Sequence, residues 1–460
     1  MRYFRLFVFI LGLNALSFGS SPLFAQENGS LDSLAQRLEA VDQQVRILAR
    51  KIELEQEAAA AKKKETPSIA ATADGFSFKS ADGNYTLKVR AHTHTDGRFF
   101  LGDDGKVATN TFLIRRQRFL FEGTVAKIYD FKFMPDFGGG QLVLQDAYLD
   151  ARFLPYLKLR AGKMKTPFGI ERLQSPLYIS FIERGLPNNL VPNRDVGAQL
   201  HGDVAGGVIN YMVGAFNGVA DAGSGDRDTF DSKDYAARLF LQPFLKSESG
   251  PLRGLGIGVA ITSGTQKGTL AAPGLPSFVS PGQNAIFRYR TDSPATAAGT
   301  VIADGKISRL SPQAYYSWSR FSLLAEYVAS SQHVNRAGNL AKLENKAYQA
   351  ITSFVLTGEN ATYRGVTPKK SLDPAAGNWG AFELAARVGK LDVDDDAFPI
   401  FANPASSASE ANAWAVGLNW YMNRNVKFVL NYEQTSFKGG AAAGDRADEK
   451  AILSRFQITY

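Results

Sequence analysis

The amino-acid sequence predicts an all-β fold: a 16-stranded antiparallel transmembrane β-barrel with an N-terminal short coiled-coil helix. Three observations predict it. From Gly83 to the last residue, apolar and polar side chains alternate with a period of two. The chain ends on AILSRFQITY, where Ile452, Phe456, Ile458 and Tyr460 share one face of a strand and Arg455, Gln457 and Thr459 share the other. Beyond residue 25, no stretch approaches the ~20 apolar residues of a membrane helix. Within lipid every backbone N–H and C=O needs a partner, so a sheet can span only if its last strand pairs with its first. A final strand that is oily outside and wet inside suits that closure.

Composition is consistent with this reading. The 460 residues carry no cysteine and are 45% apolar and 21% charged, with 43 Gly and 32 Phe. Disulfides and thiol chemistry are therefore excluded, and an oxidising compartment is acceptable. Formal charge is +8, or +6 once residues 1–25, with Arg2 and Arg5 and no acids, are removed. So mild an excess does not indicate nucleic acid as a partner.

Residues 1–25 read as a signal peptide: Arg2 and Arg5, an apolar Leu6–Leu13 core, then small residues up to a cut near Ala25. Leu23 at the −3 position makes the cleavage motif imperfect. Residues 26–57 follow as a periplasmic coiled-coil helix. Leu31, Leu34, Leu38, Val41, Val45, Leu48 and Ile52 alternate spacings of 3 and 4, an a/d heptad seam. Self-association of subunits is one reading of that seam; an amphipathic helix lying on its own barrel is the other. Residues 58–82 are expected to be a linker, polar and containing proline, and 83–460 the barrel.

Wherever period two holds, a strand is placed: approximately 85–99, 112–124, 127–136, 142–153, 157–164, 196–204, 207–216 and 233–244. The second half adds 254–263, 311–319, 321–333, 346–357, 380–393, 411–422, 425–437 and 450–460. The hairpin at Trp414–Glu433 is the clearest, with Trp414, Val416, Leu418 and Trp420 facing one way and an Asn423–Asn425 turn. An even strand count puts both ends on one side of the membrane, so short turns are periplasmic and long loops face outward. The loops near 100–111, 165–195, 217–232, 264–310, 334–345, 394–410 and 438–449 are the long ones. The 358–379 connection breaks the rule: it should be a short turn.

Four stretches resemble the phosphate-selective porin O/P family: FLIRRQRFLFEG (Phe112–Gly123), RAGKMKTPFGIER (Arg160–Arg172), NRDVGAQLHG (Asn193–Gly202), and LTGE (Leu356–Glu359) with GAFELAARVG (Gly380–Gly389). They occur in order across the barrel region. The resemblance implies a homotrimeric outer-membrane porin of Gram-negative type whose third loop folds inward, and whose constriction arginines and lysines favour phosphate. Its expected partners are inorganic phosphate or other small anions and outer-membrane lipid, without nucleic acid, cofactor or enzymatic activity.

Arg and Lys suit oxyanions because they donate hydrogen bonds and accept none. The expected anion-binding constriction residues are Arg90, Arg115, Arg116, Arg118, Lys163 and Lys165, with Asp136 and Asp146 as modulating pore acids. Alternation puts Arg116 and Arg118 on the inner face but points Arg115 outward, unless a bulge turns it in. The resemblance favours that bulge; rim charges that hold lipid headgroups are the alternative. Lys163 and Lys165 open the long third loop, as eyelet residues or as salt-bridge partners of Glu171 or Asp195. The predicted lumen wall is almost balanced in charge, so any anion preference must arise at the narrowest section.

Other chemistry is weakly supported. His92 and His94 share a strand face but lack further ligands for a metal. Asp392 and Asp394–Asp396 lack the spacing of a calcium loop. No nucleophile–base or paired-carboxylate frame is present. The rival functions are passage of sugars or organic acids, a structural or adhesive barrel, and a secreted all-β enzyme.

Overall fold

A computed structural model describes residues 28–102, 108–228, 230–248 and 250–460. The expected signal peptide lies outside the described residues. The chain divides into two compact units at Thr66/Pro67.

In the first unit, α1 runs from Asn28 to Glu65. Leu34, Leu38, Val41, Val45, Leu48 and Ile52 lie exposed along it, as a heptad seam without a partner would. The helix continues past residue 57, so part of the expected linker is helical. The Ala58–Ala61 and Lys62–Lys64 runs are good helix formers, and Pro67 disfavours helical geometry at the residue before it.

The remaining linker residues also have structure. β1 (Ser68–Thr72) and β2 (Gly75–Lys79) form a hairpin. The first barrel strand is β3 (Thr86–Leu101), whose early residues pair with β2, Phe76 opposite Val89. Next come β4 (Thr111–Val125), β5 (Tyr129–Asp136), β6 (Val143–Leu154) and β7 (Leu157–Lys165). A short helix, α2 (Ile170–Leu173), lies in the loop that follows. β8 (Arg194–Val204), β9 (Ile209–Phe216), β10 (Asp234–Leu241) and β11 (Gly256–Lys267) continue the wall. A small hairpin, β12 (Ser277–Val279) with β13 (Ala285–Arg288), stands apart from it. The wall resumes with β14 (Ile302–Trp318), β15 (Phe321–Arg336), β16 (Asn339–Val355) and β17 (Ala381–Asp392). It ends with β18 (Ala408–Tyr421), β19 (Val426–Ala441), the two-residue β20 (Gly444–Asp445) and β21 (Glu449–Thr459).

Sixteen of these strands form a closed antiparallel barrel, each expected strand matching one of them. Closure is by β21 on β3, from Lys450 opposite Leu101 to Thr459 opposite His92. The last residue completes it: Tyr460 and Ala91 exchange backbone hydrogen bonds of 2.8 and 3.0 Å. No edge is left in the bilayer.

The two faces differ as the alternation requires. Leu149, Val388, Trp414, Leu430, Ile452 and Phe456 are exposed on the lipid side. Asp96, Arg387, Asn419, Asn431, Glu433 and Arg455 are buried on the other. Phe382 stacks on Trp420 and Trp414 packs against Tyr432, giving the outer face the aromatic contacts that suit an interface.

Two connections depart from expectation. The outward loop near 334–345 shrinks to Ala337 and Gly338, because β15 and β16 pair as far as Arg336–Asn339. Both turn residues have positive φ, 52° and 88°, which fits the twist of a tight hairpin. The connection from Val355 to Ala381 is an elaborated turn and conceals no extra strand. Tyr363 on it donates its hydroxyl to the Ile170 carbonyl of α2 at 2.6 Å, and its own carbonyl accepts from Gln174 at 2.7 Å.

The lumen is narrowed by the 166–193 loop, which crosses from β7 to the opposite wall. Glu326 of β15 accepts from Ile170 N, while Asn419 of β18 and Gln457 of β21 donate to the carbonyls of Ser180 and Leu177. Its apolar residues bury themselves there: Phe181 with Leu324, Ile351 and Ala385, and Leu186, Leu190 and Val191 with Phe278 and Phe287 of the β12–β13 hairpin. Two inserted segments thus share one core inside the barrel.

Candidate functional site

Where these insertions meet β4, a polar cavity of about 250 Å³ remains. Arg115, Arg116, Arg172, Arg184, Glu183, Asn188, Asn189, Asn193 and Gln283 are among the residues lining it. Four guanidinium groups and one carboxylate thus line it.

Arg115 reaches the cavity through a bulge. In the β3–β4 register His94 lies opposite Arg116 and Thr95 opposite Ile114, so Arg115 is the extra residue. The bulge reverses its direction, and it donates to Glu183 at 2.5 Å. The Gly138 turn packs against that backbone. A Cβ there would come within 2.6 Å of the Arg115 carbonyl oxygen.

Arg116 is buried beside it, 3.6 Å from Glu183 and 3.4 Å from His94 Nδ1. Arg118, one step further in, is fixed by Asp136 at 2.6 Å. Arg455 makes two 2.7 Å bonds to the fully buried Asp96 and approaches Glu183 at 3.6 Å, while Arg98 reaches Glu183 at 3.1 Å. Burial alone would raise the Glu183 carboxyl, but Arg115, Arg116 and Arg455 outweigh it and hold the group well below its ordinary value.

Arg172 and Arg184 of the inserted loop are positioned differently. Arg172 donates to Asn188 O and Asn193 Oδ1, and Arg184 to the carbonyls of Glu171 and Gln174. These neutral acceptors orient the guanidinium groups, and the Glu171 charge also acts on both. Glu171 fastens the loop by accepting from Gly185 N, Asn188 and Gln349, and Gln349 also donates to Glu326.

The other sequence-predicted residues lie elsewhere. Arg90 pairs with Glu122 and lines a second cavity at the chain-terminal end of the barrel, with Arg364, Arg424 and Lys427. Lys163 pairs with Asp226, an acid that neither Glu171 nor Asp195 anticipated. Lys165 donates to the carbonyls of Arg172, Leu173 and Gln174 at 2.7 to 3.1 Å, capping α2 without reaching the cavity. Asp136 holds Arg118; Asp146 accepts from Arg194 at 2.7 Å and lies 3.4 Å from Lys132.

Sequence reasoning missed Glu183, Arg172 and Arg184 as cavity residues. The only signal was their charge in a loop otherwise rich in apolar residues. Among the described residues, no group of three or more His, Asp and Glu is arranged to hold a metal ion.

A closed barrel with an oily exterior, a charged interior and an inserted loop defines an outer-membrane porin. Over residues 87–460 the chain matches the family of phosphate-selective porins O and P, and it belongs to that family, whose members are outer-membrane anion porins. It is 23% identical to Porin O of Pseudomonas aeruginosa over 419 residues, covering 85% of this chain and 92% of that protein. Among solved structures, the outer-membrane channel DcaP of Acinetobacter baumannii superposes with a TM-score of 0.53 at 11% identity, covering 83% of this chain and 99% of that one. An anion-selective porin from Comamonas acidovorans gives 0.50 at 10% identity, covering 82% and 100%. At such identities the superpositions show the fold alone.

Proposed function

We propose that this porin passes small oxyanions, inorganic phosphate foremost, and that Arg115 and Arg116 with Arg172 and Arg184 form the selecting constriction. The observation that carries this reading is the cavity lined by four guanidinium groups and a single carboxylate. An oxyanion entering it exchanges its water shell for fixed donors and feels a net positive field. Arg118 stands behind the site, tied to Asp136, and Arg90 offers a further positive group at the other cavity. Lys163 and Lys165 act as braces for the loops they bond. Asp136 and Asp146 tune the arginines they hold.

Three such barrels assemble into a homotrimer in this proposal, with the heptad seam of α1 joining the subunits on the periplasmic side. Isolated helices are only marginally stable, and mutual burial of Leu34, Leu38, Val41, Val45, Leu48 and Ile52 would offset that.

The test is a planar-bilayer recording under a salt gradient. An anion-directed reversal potential, and chloride current lowered by millimolar phosphate, are expected. Substituting Arg115 and Arg116 together with glutamine should abolish the phosphate effect. Cation preference, or a wild-type current indifferent to phosphate, would return the function to sugars, organic acids or a structural role.

A further inference from the structure

We propose that Glu183 is a built-in competitor for the anion site, a tethered carboxylate occupying the arginine cluster that a permeating oxyanion must share. The inference rests on the oxyanion-channel reading and adds a specificity-determining residue to it.

Four guanidinium groups surround this carboxylate. Arg115 donates through Nε at 2.5 Å and Arg98 through Nη2 at 3.1 Å, while Arg116 and Arg455 stand at 3.6 Å. Of these, Arg455 is also matched closely by Asp96, and Arg98 stands 4.0 Å from the same acid, which leaves Arg115 and Arg116 with Glu183 as their only acid among the described residues. The carboxylate thus presents to converging arginines the oxygens that a phosphate would otherwise present. It is also the acidic side chain lining the adjoining cavity.

Its backbone is clamped from both sides. Ile182 is buried with Val429, Ala451 and Leu453, the Glu183 carbonyl accepts from Arg387 at 2.8 Å, and Gly185 N donates to Glu171. Glu183 therefore cannot drift away when an anion arrives. It stays as a permanent rival for the same donors.

This arrangement answers a physical need. A site that passes ions must bind well enough to admit them and weakly enough to release them. Without an internal anion, this density of arginine would bind a dianion tightly and slow its exit. A fixed carboxylate lowers affinity without removing any donor.

The experiment compares full-length wild type, Glu183→Gln and Glu183→Asp in planar bilayers, with phosphate titrated against chloride current. Glu183→Gln should lower the half-inhibitory phosphate concentration about tenfold, equal to about 1.4 kcal/mol. It should also strengthen anion-directed reversal and reduce current in saturating phosphate. Glu183→Asp withdraws the carboxylate by one methylene and keeps the charge, so a two- to fivefold decrease is expected. It carries the test alone should the glutamine variant fail to give a heat-modifiable barrel. An unchanged or higher phosphate requirement in whichever variant folds overturns the inference. Failure of the underlying reading is distinguishable, because wild type itself would then show no phosphate inhibition.

Discussion

Replacing Arg115 with glutamine tests the constriction at a partly exposed guanidinium. An anion in the cavity would lie about 5 Å from that group, where unit charges interact by about 3 kcal/mol at an effective dielectric constant near 20. The side chain is 31% exposed, so solvent screens much of this, and about 1.4 kcal/mol is a reasonable remainder. The substitution also takes from Glu183 its shortest partner, leaving that carboxylate freer to repel anions. Both effects act in the same direction. The half-inhibitory phosphate concentration should rise about tenfold, while chloride conductance, carried by a monovalent ion, should change less. Arg152→Gln is the control. Its pair with Asp130 is partly exposed and lies away from the cavity, so a shift below about twofold is expected. A folded, heat-modifiable Arg115→Gln barrel with unaltered phosphate inhibition would refute the assignment of the bulged arginine to the ion path.

Three further outcomes follow from the same geometry. Gly138→Ala places a methyl group against the Arg115 carbonyl and Arg116 Cα, so phosphate inhibition should weaken several-fold with no charge removed; bilayer titration checks it. Gln349→Leu leaves Glu171 and Glu326 without their shared donor, a loss of about 1–3 kcal/mol for the inserted loop, which should appear as faster proteolysis within 166–193 and noisier open channels. Glu183 has a depressed folded value, so its stabilising contribution is present above the ordinary carboxylate pKa of about 4.3 and is lost only as pH falls through the lower folded value. Between pH 7 and about pH 4, Glu183 itself should then contribute no change in chloride conductance, so wild type and Glu183→Gln should share any pH dependence there. A change in that window that Glu183→Gln lacks would show that the arginines do not hold the charge.

The barrel was legible because its signal is periodic. Each strand repeats every two residues, and lipid on one side and water on the other force that repeat on every strand. The Ala337–Gly338 hairpin shows where the reading ran short. Alternation continues through Val334 and Leu343, which are buried on the inner face, but the outward-facing Asn335, Lys342 and Glu344 are polar and disguised it as loop. Arg115 shows a different failure. Strict parity pointed it into lipid, and beside the family resemblance only the three arginines in four residues signalled that the period must slip. A sequence carries the energetic objection to such a placement more clearly than the position of the bulge that removes it.

The site was less legible because it is made by insertions that have no period. Glu183 meets Arg98 across 85 residues and Arg115 across 68, and nothing local couples them. The near-balance of charge along the wall was itself informative. Arg90 with Glu122, Arg118 with Asp136, Arg160 with Asp150, Arg387 with Glu433 and Arg455 with Asp96 pair wall residue to wall residue. Such pairs hold the interior together and contribute little field of their own. Arg172 and Arg184 are instead bonded to carbonyl and amide oxygens on the inserted loop itself, a loop in which Glu171 and Glu183 balance their charge. In the proposed channel, selectivity then rests on where the insertion holds these side chains relative to Arg115 and Arg116, and not on the average charge of wall or loop.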